Sequence, residues 1–184
     1  MSAFIVTAYY FVRTSEGFTI TSKETDKTQT ELLLEKNISD KYPSTPKDVL
    51  DLYINLSKSI YDRNTTEDQI DKLATQMLLL FDAELLDKNP LELYKINLKT
   101  EIKGFVDKNI YIMNYINGDN EKAEFWDKDN REYASRMVSY TLKEGSNYTK
   151  VYNKFILRKD DNGEWKILGW SNEDSPQSDN PKEQ

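Results

Sequence analysis

The chain has 184 residues, a length that suits one domain with short segments at its ends. Its net charge of −7, its pI near 4.8 and its mean hydropathy of −0.77 argue against a nucleic-acid binder and against a polybasic membrane-surface module. It contains no Cys and no His, which excludes disulfides, thiolate catalysis, Cys–zinc sites and His-dependent triads.

Residues 3–12, AFIVTAYYFV, form an apolar run closed by Arg13. A helix of that length rises about 15 Å, half of a bilayer core. The run therefore reads either as a strand or docking segment of a cytoplasmic domain, or as the outer half of a single membrane anchor that begins upstream of Met1. Tyr9 and Tyr10 suit the headgroup level of such an anchor. The Thr-, Ser- and charge-rich stretch 14–27 would then hold the domain off the outer surface. The expected organisation is an apolar segment at 1–13 and a linker at 14–43 with a short helix in TQTELLLEK. A folded domain at 44–172 and a disordered polar tail at 173–184 complete it.

Three main helices are signposted. In STPKD, Thr45 suits an N-cap, Pro46 the first helical position and Asp48 the positive first turn. Val49, Tyr53, Leu56 and Ile60 share one face of that helix. Thr66 and Gln69 have capping-box spacing, and Ile70, Leu73, Met77, Leu80 and Phe81 follow on one stripe. In NPLE, Asn89 is the expected cap and Pro90 the opening residue. Leu91, Leu98, Ile102 and Phe105 form the face that helix should bury, with Tyr94 alongside.

Past residue 108 the pattern turns to strands: NIYIMNYI, a short one around KAEFW, then REYASRMVSYTL and YTKVYNKFILR. The last strand, EWKILGW, follows Asn162-Gly163, a step suited to a type I′ turn. Regular alternation puts Trp165 and Ile167 on one face of it, Leu168 and Trp170 on the other. The acid clusters DKDNRE and KDDNGE sit where turns are expected and lack the spacing of a calcium loop. Helices followed by an antiparallel meander give an α+β layout.

The ordered series YPSTPKDVLDLY, LFDAELLDKNP, EYAS, SYTLKEG, YTK and GEWKILGW resembles a family of unknown function. That family consists of NTF2-like, cystatin-like-fold proteins, membrane-anchored, from clostridial Gram-positive bacteria. The resemblance runs from about residue 28 to 172. It implies a cone in which three N-terminal helices pack on a bent antiparallel sheet of four to five strands. It also implies an N-terminal anchor with the domain outside the cell. It supplies no catalytic residues.

Enzymes on such a fold need a carboxylate base in an apolar pocket and a Tyr or protonated Asp as oxyanion donor. The carboxylates offered are Glu101, close to the apolar stripe of its helix, and Asp82. Tyr94, Tyr140, Tyr152 and Trp165 are candidates to line a ligand pocket, with Glu101 and Arg136. Arg136 alternates in phase with Ala134, Val138 and Tyr140. It reads as an exposed or rim residue if that face points outward. If the face points inward it needs a partner, for which Glu101 is the candidate.

The resulting expectation is a non-catalytic extracytoplasmic domain that binds a small ligand or an envelope partner protein, with no metal or cofactor. The alternatives are a carboxylate-dependent isomerase or hydrolase using the same cavity, and a structural homodimer.

Overall fold

Side-chain caps set where most of the helices begin. The computed structural model describes residues 27–118 and 123–174. The apolar run at 3–12, residues 14–26 of the expected linker and the tail from 175 onward lie outside the described residues. Helix α1 (Gln29–Leu34) opens on a reciprocal capping box between Thr28 and Glu31. Helix α2 (Pro46–Ile60) is capped by the Thr45 hydroxyl, which accepts from the Asp48 amide at 3.1 Å, with Pro46 at its first turn. Helix α3 (Glu67–Leu78) has the Thr66–Gln69 box.

Two short-range expectations fail in the next segment, and one cause explains the first. The stripe through Phe81 does not continue as helix. The Asp82 amide donates to the Ile167 carbonyl at 2.8 Å, and the Ile167 amide donates to the Leu80 carbonyl at 2.7 Å. Phe81 thereby forms a parallel bridge with the last strand. A tertiary backbone pairing takes over from the helical one. Asp82 then caps a separate helix, α4 (Ala83–Lys88). The second failure is at Asn89. It does not cap the following helix, because its side-chain amide donates back to the Leu85 carbonyl at 2.8 Å. Helix α5 (Leu91–Asp107) starts after Pro90 with no side-chain cap. The described residues thus hold five helices, not three main ones and one short one.

The strands are β1 (Ile110–Ile116), β2 (Glu124–Lys128), β3 (Arg131–Glu144), β4 (Asn147–Lys159) and β5 (Trp165–Glu173). They form one antiparallel sheet in the order β1-β3-β4-β5, with β2 also on β3. β1 and β2 share one edge of β3: β1 pairs with residues 139–144 and β2 with residues 131–135. Helix α2 packs between α3 and the sheet, and Leu50, Ile54, Leu56 and Ile60 along it are wholly buried. The inner sheet face contributes Val138, Phe155, Leu157 and Ile167 to the same core.

The turns differ from expectation in an instructive way. The β4–β5 loop is not type I′: of Asn162 and Gly163 only Gly163 has a positive φ, +78°. Asp160 closes that loop instead, its carboxylate accepting from the Asn162 and Glu164 amides, each at 2.9 Å. The pair with two left-handed residues is Asp129-Asn130, at φ 51° and 58°, between β2 and β3.

Candidate functional site

A cavity of about 560 Å³ lies between the inner face of the sheet and helices α2, α3 and α5. That volume is within the range of small-molecule sites. Its walls are aromatic. Tyr53 of α2 stands 5.9 Å from Trp170 and 6.2 Å from Phe81, centroid to centroid. Phe81 meets Tyr94 edge-on at 5.8 Å. Tyr61 lies 4.8 Å from Phe105 at the far end. Spacing explains the helical contributions: Tyr53, Ser57 and Tyr61 recur every four residues, as do Tyr94, Leu98 and Glu101 at four and three.

Trp170 reaches the cavity because β5 carries a bulge. Leu157 pairs with Ile167, yet Ile156 pairs with Gly169, so Leu168 is an extra residue on its strand. The insertion reverses the alternation beyond it. Trp170 is brought opposite Phe155, whose side chain is fully buried on the inner face. The two ring centroids are 5.6 Å apart. The expectation that Trp165 and Trp170 occupy opposite faces is therefore corrected. β1 uses the same device: Met113 is extra, and Ile112 and Tyr115, three residues apart, oppose the inward Leu142 and Tyr140.

Polar groups are interspersed with the rings. The Oδ1 of Asn153, on β4, is buried without a hydrogen-bond partner. The Tyr94 hydroxyl donates to the thioether sulfur of Met77 at 2.9 Å, a weak acceptor. Ser57 is occupied with its own helix, donating to the Tyr53 carbonyl at 2.9 Å. Burial holds the hydroxyls of Tyr53, Tyr61, Tyr94 and Tyr140 well above the ordinary tyrosine value, so all four stay protonated. The Glu101 charge adds to the rise at Tyr61 and Tyr94, and at Tyr61 a hydrogen bond to the Glu101 side chain adds to it as well. Among the described residues Glu101 is the one charged residue that lines the cavity.

Of the pocket residues expected from sequence, Tyr94, Glu101 and Tyr140 line this cavity; Arg136, Tyr152 and Trp165 do not. Tyr152 lies between Val151 and Asn153, which both line the cavity, so strand alternation turns it to the opposite face. Trp165 is buried against Phe125, 5.9 Å away, with Lys159 over its ring at 5.2 Å.

The exposed or rim position expected of Arg136 is also corrected, for it is only 3% exposed. It sits where β3 faces the break between β1 and β2, and it fills that break. Its Nε donates to the Asn117 side-chain oxygen at 3.2 Å, and its Nη2 donates to the carbonyls of Asn117 at 3.2 Å and Gly118 at 2.8 Å. Asn117 in turn donates to the Asp51 carboxylate at 2.9 Å. The acceptors of Arg136 among the described residues are two backbone carbonyls and a side-chain amide oxygen.

Asp82, the other candidate base, belongs to a structural corner. Only 3% exposed, it accepts from Arg158 Nε at 3.0 Å and from Arg158 Nη2, and its Oδ1 caps the Glu84 amide at 2.9 Å. Arg158 Nη1 also donates to Glu84 at 2.8 Å. Both oxygens of Asp82 are thus engaged in the corner, and it is not among the lining residues. Sequence reasoning did not single out Tyr53, Tyr61 or Asn153. The eight-residue spacing of the two tyrosines is a readable signal. The place of Asn153 depends on the β3–β4 register, which no local pattern reveals.

Among the described residues no group of three or more acidic side chains is placed to hold a metal ion. Nor is any helix there long and apolar enough to cross a membrane. The model of a family described as a domain of unknown function (DUF6715) matches residues 1–170, and the chain belongs to that family. No curated protein matches the chain.

Proposed function

We propose that this chain is a non-catalytic NTF2-like domain that binds a small ligand in the cavity between its sheet and helices. The observation that carries the reading is the cavity itself. A space of about 560 Å³, walled by tyrosines, Phe81 and Trp170, retains a buried Asn153 oxygen with no donor. No group of the described residues donates to that oxygen, so it can accept from a bound molecule. The packing of α2 against the sheet, with two bulges that turn side chains inward, supports the NTF2-like reading of the fold. The apolar run at 3–12 supports tethering at the cell membrane with the domain outside. An envelope protein or a second copy of the chain would find exposed apolar side chains at Leu93 and Ile96 of α5.

The second reading, a carboxylate-dependent isomerase or hydrolase, is favoured by Glu101, whose charge acts on the Tyr61 and Tyr94 hydroxyls. A base of that kind works in an apolar, water-excluded setting. Glu101 stands exposed at the cavity mouth, and this ranks binding ahead of catalysis.

The test is amide NMR of the purified chain with a library of soluble fragments. Binding in the cavity shifts the signals of Tyr53, Tyr94, Tyr140 and Trp170 together. Shifts spread over the surface, or none from any fragment, would refute the reading.

A further inference from the structure

We infer that the ligand is an organic cation, an amine or quaternary ammonium group on an apolar or hydroxylated body, with Glu101 as its counter-charge. This rests on the ligand-binding reading above and names the ligand's chemical class. Three features of the cavity converge on it.

The first is charge. Among the described residues, Glu101 lines the cavity and no Lys or Arg does. A carboxylate or phosphate ligand would leave water for a space whose one formal charge repels it. The chain's net charge of −7 reinforces the same sign at longer range. The second feature is the wall. Tyr53, Phe81, Tyr94 and Trp170 present rings whose faces carry negative potential, and a cation within about 6 Å of such a face is attracted to it. The third is the polarity of two acceptors in the lining. Asn153 Oδ1 is an acceptor with no donor, and the Glu101 carboxylate is acceptor-only. A ligand bearing N–H or O–H groups answers both, and a ligand of acceptors answers neither.

Three ring compounds of matched size separate the outcomes: benzylamine, benzyl alcohol and benzoate. Each is titrated into the full chain and followed by the amide shifts of Tyr94, Tyr140 and Trp170. The expected result is binding of benzylamine about tenfold tighter than benzyl alcohol, with benzoate weakest. Glu101→Gln should remove the amine's advantage over benzyl alcohol. If benzyl alcohol binds the native chain as tightly as benzylamine, the cavity is a binding site but the cation assignment falls. If the amine keeps its advantage in Glu101→Gln, the role given to Glu101 falls. If none of the three binds, this inference and the ligand-binding reading fall together.

Discussion

The Asp82 corner and the Glu101 cavity are built from similar residues to opposite effect. In the corner, a carboxylate, a guanidinium and a helix terminus use up one another's hydrogen bonds, and both charged groups are less than a tenth exposed. In the cavity, a carboxylate stands among protonated tyrosines and amides, with a buried oxygen left unpaired. The difference separates a carboxylate that holds the fold from one available to something else. Asp82 is buried with both oxygens held by the fold, whereas Glu101 is exposed and lines a cavity.

The largest effect that sharpens this contrast is alkaline unfolding. Burial raises the values of Tyr42, Tyr53, Tyr61, Tyr94 and Tyr140 in the folded chain above the ordinary 10.0. Above that pH the unfolded chain releases protons that the folded chain keeps, so stability is full below it and falls as pH rises. A wholly buried tyrosine contributes a slope of up to about 1.4 kcal/mol per pH unit. Hydrogen bonding to Asp82 raises Arg158 further, so the corner stays charged throughout. The share of tyrosinate absorbance due to these five should therefore appear only together with the loss of structure. Full tyrosinate absorbance in a folded chain would contradict the burial of these hydroxyls.

Breaking the corner comes next. Arg158→Ala leaves a buried carboxylate without its partner and should cost about 3–5 kcal/mol in urea unfolding. Asp82→Asn keeps the helix cap and should cost less than Asp82→Ala. In the cavity the corresponding change, Glu101→Gln, should shift stability by no more than about 0.5 kcal/mol. Equal losses at Asp82 and Glu101 would erase the distinction between the two regions.

The parts of the fold legible in the sequence were those set by local chemistry. The caps at Thr28, Thr45 and Thr66 act on amides two or three residues away, and the strand segments show in their β-branched and aromatic residues. What escaped was set at a distance. Helix α3 ends where Leu80 and Asp82 pair with Ile167, a residue far along the chain. Trp170 enters the cavity through one extra residue, Leu168, which nothing in KILGW announces. Arg136 is buried because two strands leave a gap for it, and the gap exists only once the sheet is assembled. The site was therefore half readable: Tyr94, Glu101 and Tyr140 follow from helix and strand faces, whereas Asn153 depends on register.

The most direct test of the cavity as a binding site needs no ligand. Asn153→Leu replaces an unpaired buried oxygen in a strand with apolar volume of similar size and higher strand preference. If Asn153 is kept for a ligand, the substitution should stabilise the chain by about 1 kcal/mol in urea unfolding, as sites held for function commonly do when made apolar. A loss of more than about 1 kcal/mol would show that the amide supports the fold, contradicting its assignment to a ligand.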